Sequence, residues 1–208
     1  MNRRKKIKQL LEAHAKKANA KKAPKKKSTY ISKADRLKLA AEATLRNESP
    51  ADIEQIHAVT EQAFLNAPHT EHTEQFIVKA LRDAGALTVS LVAEHGARVI
   101  GHVAISPVSI SDGAANWYGL GPISVLPAYQ GKGVGAQLME AALAAIAAKG
   151  AAGCVVLGDP DYYSRFGFRV VDGLVFPGVP AEYFQARAFT GAFAHGEVSY
   201  HQAFSAQA

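Results

Sequence analysis

The stretch that most restricts what this chain can fold into is GLGPISVLPAYQGKGVGAQLMEAALAAIAAKG, Gly119 to Gly150. An apolar run leads into three alternating glycines, Gly131, Gly133 and Gly135, and an alanine-rich run of helical character follows. Glycine permits close backbone approach and positive φ. The helix after it aims free N–H groups and a positive dipole end back at the loop. A strand, a glycine loop and a helix in that order make an anion site, and the anion to expect is phosphate.

Three sequence patterns compete for that loop. A Walker A loop needs a hydroxyl residue after its lysine to hold magnesium, but Lys132 is followed by Gly133. The dinucleotide pattern G-x-G-x-x-G/A is met literally by Gly131, Gly133 and Ala136. Its first glycine belongs directly on the strand end, and here Pro127 to Gln130 intervene, after strands that read as antiparallel. The third pattern, Q/R-x-x-G-x-G/A, is met by Gln130, Gly133 and Gly135, with Val125-Leu-Pro127 before it.

Around the loop the hydrophobic period changes several times. Leu45 to Asn47 reads as a short strand. Ser49-Pro50-Ala51-Asp52 opens a helix with buried positions Ile53, Ile56, Val59, Ala63 and Phe64, which Asn66 to Pro68 ends. A second helix is expected over about 71–84. Strands follow over 87–94 and 98–108, joined at His95-Gly96, and over 117–125. The loop helix spans about 133–149, and Gly153 to Leu157 is a fully apolar strand suited to a sheet centre. A short helix over 160–166 and a strand over Phe168–Val171 come next. Short strands near Tyr183–Phe189 and Glu197–Gln202 complete the chain. The order is β-α-α-β-β-β-α-β-α-β-β through Tyr183–Phe189, an α/β fold with a mixed sheet.

The third loop pattern resembles the pyrophosphate loop of the GNAT superfamily, the GCN5-related N-acetyltransferases. A second motif, Tyr163-Ser-Arg-Phe-Gly167-Phe168, lies 33 residues beyond Gln130 and resembles the Y-x-x-x-G-F of that superfamily. The element order matches from about Thr44 to Val171. The string LGDPDYYSRFGF, Leu157 to Phe168, resembles one bacterial subgroup whose substrates are mostly unassigned.

The resemblance implies an acyl-CoA-dependent N-acyltransferase taking acetyl from acetyl-CoA to a primary amine, small or on a protein, by direct attack in a ternary complex. It implies that the backbone of Ile123, Ser124 and Val125 pairs with the pantetheine arm. It also implies that the N–H groups of Gln130, Gly131, Lys132, Gly133, Val134 and Gly135 hold the pyrophosphate. Lys132 either adds a point charge there or is solvated. Tyr163 either protonates the leaving thiolate or is an aromatic plug beside the cofactor. Tyr162 reads as structural. Many relatives carry a glutamate on the strand before the loop, where this chain has Asn116-Trp117-Tyr118. The base candidates are then Glu61, His102, Tyr118, Asp159 or a bound water. Asp159 also suits the cap of the helix at Pro160, and Arg165 suits pairing with Asp159 or Asp161. Cys154 lies in an apolar strand and reads as inert. No metal spacing is present, so no metal is expected.

The net charge of +6 averages two unlike pieces. Residues 1–46 carry +13 and residues 47–208 carry −7. The arm, residues 1–42, is expected to be partly helical or disordered, with helices near Ile7–Ala18 and Lys33–Ala43. It resembles a short lysine-rich bacterial family, through MNRRKKI and YISKADR, to which no activity attaches. Such an arm favours a ribosome, RNA or an anionic surface, and Tyr30 alone offers no stacking platform. Residues 43–208 form the GNAT-like domain. No apolar run reaches the ~18 residues of a membrane span. A single cysteine fits a cytoplasmic setting. A non-catalytic acyl-CoA-binding module and an RNA- or ribosome-associated protein are the alternative readings, and a homodimer stays open.

Overall fold

The structure is a computed structural model and describes residues 42–67, 70 and 72–207. The expected arm helix near Ile7–Ala18 lies outside the described residues, as does the one over Lys33–Ala43 but for its last two positions, and so do Pro68 and Glu71. The elements are β1 (Thr44–Asn47), α1 (Ile53–Phe64), α2 (Glu74–Asp83), β2 (Val89–His95), β3 (Arg98–Ile110), β4 (Trp117–Val125) and α3 (Val134–Ala148). They continue with β5 (Gly153–Leu157), α4 (Pro160–Tyr163), β6 (Leu174–Val175), β7 (Phe184–Ala188) and β8 (Gly196–Tyr200).

The sheet runs β1-β2-β3-β4-β5-β7. All these pairs are antiparallel except β4 with β5. The far end of β3, Val108–Ile110, pairs instead with β8. Strand β4 carries a bulge: Ile123 faces Val103 and Leu120 faces Ile105, so Gly121 and Pro122 together oppose Ala104. A side chain at 121 would come within 3.1 Å of the Ala104 carbonyl oxygen, which explains the glycine.

Consecutive residues on β4 point to opposite faces. Ser124 Oγ reaches Thr60 Oγ1 of α1 at 3.3 Å. Val125 lies against the other layer, where its Cγ2 is 3.6 Å from a Cβ built on Gly135 of α3. Helices α1 and α2 therefore cover one face and α3 the other. Helix α3 buries Val134, Leu138, Met139, Ala142, Leu143 and Ile146, a stripe at helical spacing. A second, smaller core of Ile110, Trp117, Val155, Leu174, Phe184 and Val198 closes the end where β8 joins β3.

One expectation needs correction. Phe168–Val171 is not a strand: only Arg169 bridges, to Ala186, and the chain pairs next at Leu174–Val175. Phe168 is 2 % exposed, and its fit in the main core, rather than sheet pairing, holds this segment. Asp52 stands at the start of α1. It is buried, accepts from the Ser49 backbone N–H at 2.7 Å, and takes a forked pair from Arg46 at 2.6 and 2.9 Å. Hydrogen bonding from Arg46 leads the causes that hold its carboxyl far below the usual range, against the opposing effect of burial.

Candidate active site

The glycine loop follows directly on the end of β4, the strand that borders a gap in the sheet. Strand β4 pairs with β5 only over Trp117–Gly119 against Gly153–Val155. Beyond that, Val156 and Leu157 stay with β7 and the two strands part. The stretch Leu120–Val125 is thereby left without a partner strand on that side, the edge geometry that an extended ligand can join.

The loop then bends back. Gly131 (φ 71°) and Gly133 (φ 93°) take left-handed conformations that side chains resist. Gly135 is different: it lies inside α3, and a Cβ there would sit 3.3 Å from the Tyr162 hydroxyl. Among the described residues no backbone carbonyl takes the N–H of Gly131, Lys132 or Gly133. Val134 and Gly135 open α3, where an α-helix leaves its first N–H groups unpaired. The Gln130 N–H is already given to the Pro127 carbonyl at 3.3 Å, and its side chain donates to the Val125 carbonyl at 2.9 Å. Gln130 thus pins the loop to the strand end. Lys132 Nζ lies 5.5 Å from the Tyr129 ring centroid. These free N–H groups, the dipole end of α3 and the glycine cradle fit a pyrophosphate.

A cavity of about 590 Å³ opens from the gap. Leu120 to Ile123 of β4, Leu157 and Tyr163 form one side. Phe64 of α1, Glu74 and Ile77 of α2, the loop at Phe176–Val179, Ser199 and Tyr200 of β8 and the segment after it complete the lining. Tyr163 therefore stands where the strand gap meets the chamber. Its ring meets Tyr162 edge-on at 5.0 Å between centroids and Phe168 at 6.0 Å. Burial, helped by Tyr162, Asp159 and Cys154, pushes its phenol above the ordinary value near 10. It stays protonated near neutral pH, as a proton donor must and a general base must not.

None of Glu61, His102, Tyr118 and Asp159 lines the cavity. Glu61 is exposed on α1, and Tyr118 packs against the main core. Asp159 caps α4, accepting from the Asp161 N–H at 3.0 Å. Arg165 donates to the Tyr162 carbonyl at 3.2 Å and lies 4.6 Å over the Tyr162 ring. His102 is fully buried beside Ser90 Oγ, 2.8 Å away. The Ser90 hydroxyl gives its one proton to Glu48, so it accepts from His102 Nε2–H. Burial lowers the His102 pKa and keeps the ring neutral. Cys154 is buried, and desolvation pushes its thiol up to about 12. Among the described residues no group of His, Cys, Asp or Glu could hold a metal ion, and no helix is long and apolar enough to cross a membrane.

Residues 87–170 match the family model described as an acetyltransferase (GNAT) domain, and residues 1–43 match a protein family of unknown function, DUF2986. The chain is 38 % identical over 127 residues to the uncharacterized N-acetyltransferase YhbS of Escherichia coli K12, covering 61 % of this chain and 73 % of that protein. A crystal structure of a GNAT family acetyltransferase from Brucella melitensis, in complex with acetyl-CoA, superimposes with a TM-score of 0.70 and 47 % identity. It covers 78 % of this chain and 97 % of its own. The chain belongs to the GNAT acetyltransferase family. Escherichia coli YhbS, solved in complex with CoA, agrees: TM-score 0.72, 34 % identity, 79 % of this chain and 93 % of that one. This GNAT chain is an N-acetyltransferase, and its β4–β5 gap, glycine loop and Tyr163 lie within residues 87–170, the part that matches the family model.

Tyr162, read as structural, carries its hydroxyl to the glycine loop, next to Gly135. One lining residue is not among the sequence-based candidates. Glu74 faces the cavity from α2 rather than from β4. Its signal in the sequence was only an acidic residue opening a helix.

Proposed function

We propose that this GNAT chain transfers the acetyl group of acetyl-CoA to a primary amine by direct attack within a ternary complex. The observation that supports the reading is the unpaired edge of β4, which ends in the N–H cradle and whose residues Leu120 to Ile123 line a chamber together with Tyr163. The N–H groups of Gly131 to Gly135 hold the pyrophosphate at the N-terminus of α3. The backbone of Ile123, Ser124 and Val125 pairs with the pantetheine arm. The Ser124 side chain is committed elsewhere, toward Thr60. Backbone N–H groups of this edge polarise the thioester oxygen, and Tyr163 donates its proton to the departing thiolate.

Thermal unfolding of the full chain with and without acetyl-CoA, with NADH as control, tests the reading. Acetyl-CoA at 100 times its Kd stabilises a one-site protein by ~2.7 kcal/mol. A shift with NADH alone sinks the proposal.

The arm, residues 1–42, is proposed to be a separate unit from the domain at 43–208 and to bring the enzyme to RNA or the ribosome. The charge of residues 1–46, +13, supports this. RNA retention by the chain lacking residues 1–42 argues against it. A cytoplasmic setting suits the buried free thiol of Cys154. Light scattering of the full chain decides between monomer and homodimer.

A further inference from the structure

The acetyl donor occupies only the strand-gap side of the cavity in this reading, on which the present inference rests. The other side must receive the acceptor. Among the described residues that line the cavity there is one carboxylate, Glu74, and neither lysine nor arginine. Most of the remaining wall is apolar or aromatic, including Phe64, Ile77, Leu120, Phe176 and Phe204. A carboxylate facing such a chamber without a cation is poorly compensated. Among the described residues the Thr70 hydroxyl lies 2.7 Å from both Oε1 and Oε2. A hydroxyl has a single proton, so it serves one carboxylate oxygen and leaves the other for a ligand.

The other titratable groups on the wall do not suit proton removal. Tyr163 and Tyr200 are phenols whose pKa burial raises. The remaining group, His201, accepts at Nδ1 from the Ala203 backbone N–H at 3.2 Å. That bond places the proton of the neutral ring on Nε2. His201 therefore offers the chamber an N–H donor rather than a lone pair.

We propose that Glu74 is the acceptor-side catalytic residue: it binds the ammonium group of an apolar primary monoamine and removes its first proton. The ammonium gives one proton to the Glu74 carboxylate, which frees the nitrogen lone pair. The nitrogen bonds to the acetyl carbon and the carbon–sulfur bond breaks. Tyr163 gives its proton to the sulfur and regains one from the nitrogen, now that of an amide. Glu74 returns its proton to water. The sum is ammonium plus acetyl thioester giving amide, free thiol and one proton.

The test uses the full chain, acetyl-CoA and 2-phenylethylamine, with thiol release as readout. The Glu74→Gln variant should keep the acetyl-CoA Kd and melting temperature of the wild type, and lose roughly 100-fold in kcat/KM at pH 7.5. The deficit should shrink as the pH approaches ~10, where a primary amine arrives already neutral. Glu74→Asp, which keeps the charge, should fall between the two. A Glu74→Gln rate within threefold of wild type overturns the proposal. So does a deficit equally large at pH 10, which marks a purely structural role. Binding of acetyl-CoA with no turnover of 2-phenylethylamine or n-hexylamine also overturns it, and turnover of spermidine alone refutes the substrate class. Failure of acetyl-CoA to bind at all is a separate result, and it removes the underlying reading of the site.

Discussion

Gly158 lies against the ring of Tyr163 so closely that a methyl group on Gly158 would overlap Tyr163 Cε2. The end of β5 thus sets the position of the phenol. Tyr163→Phe should lower kcat by roughly 100-fold while leaving the acetyl-CoA Kd within about twofold, because only the proton is lost. Gly158→Ala should push the ring aside, cost ~1–3 kcal/mol of stability and lower kcat toward the same level. If both act through one phenol, the double variant is no slower than Tyr163→Phe. Additive losses in steady-state kinetics would separate the two residues.

Gly133 and Gly135 should fail in two different ways. Gly133→Ala forces a side chain into φ 93° and should cost ~1–2 kcal/mol in chemical denaturation, besides weakening acetyl-CoA. Gly135→Ala meets no such strain. It meets the Tyr162 hydroxyl at 3.3 Å, and should weaken acetyl-CoA with a stability change under ~1 kcal/mol. Equal stability losses for the two would contradict the division.

Stability should fall with acid in two stages. His102 has a folded pKa below its ordinary 6.5, so the stability it confers is complete above that value and is lost as pH falls through the lower, folded one. Glu48 is next: burial opposes its ionisation, but hydrogen bonds from Arg82, His102 and Ser90 together outweigh it and hold its pKa well below the usual range. Its contribution is complete above about 4.3 and is lost below that. Melting temperature measured from pH 8 to 4 should begin to drop near pH 6.5. His102→Gln should flatten the first stage; a variant with the wild-type slope there would clear His102 of the effect.

Cys154 should be silent toward a disulfide reagent at pH 7, since its thiol is buried and pushed up to about 12. One equivalent should react after denaturation in guanidinium. Rapid reaction of the native chain would place Cys154 nearer the surface than β5 allows, and would also confound thiol-release assays.

Much of the frame was legible in the chain. Helix α3 could be bounded within a residue because its apolar stripe and the glycines on either side are local signals. Asp159 could be read as a cap for the same reason, since its partner is Asp161. Phe168–Val171 was misread because apolar residues in an extended segment do not reveal whether a neighbouring strand has free hydrogen-bonding groups beside them.

The base is the clearer case. Strand β4 carries no acid, and none of the candidates Glu61, His102, Tyr118 and Asp159 lines the cavity. By itself the sequence determined the anion loop, the order of elements and the candidate phenol, because backbone conformation and amphipathic period depend on residues a few positions apart. Only the tertiary structure decided that Glu74 shares a chamber with Tyr163, that His102 is sealed and neutral, and that His201 shows an N–H. Those facts depend on where β4 and β5 part and on how α2 and the segment after β8 close over the gap, and such packing joins residues that no local pattern connects.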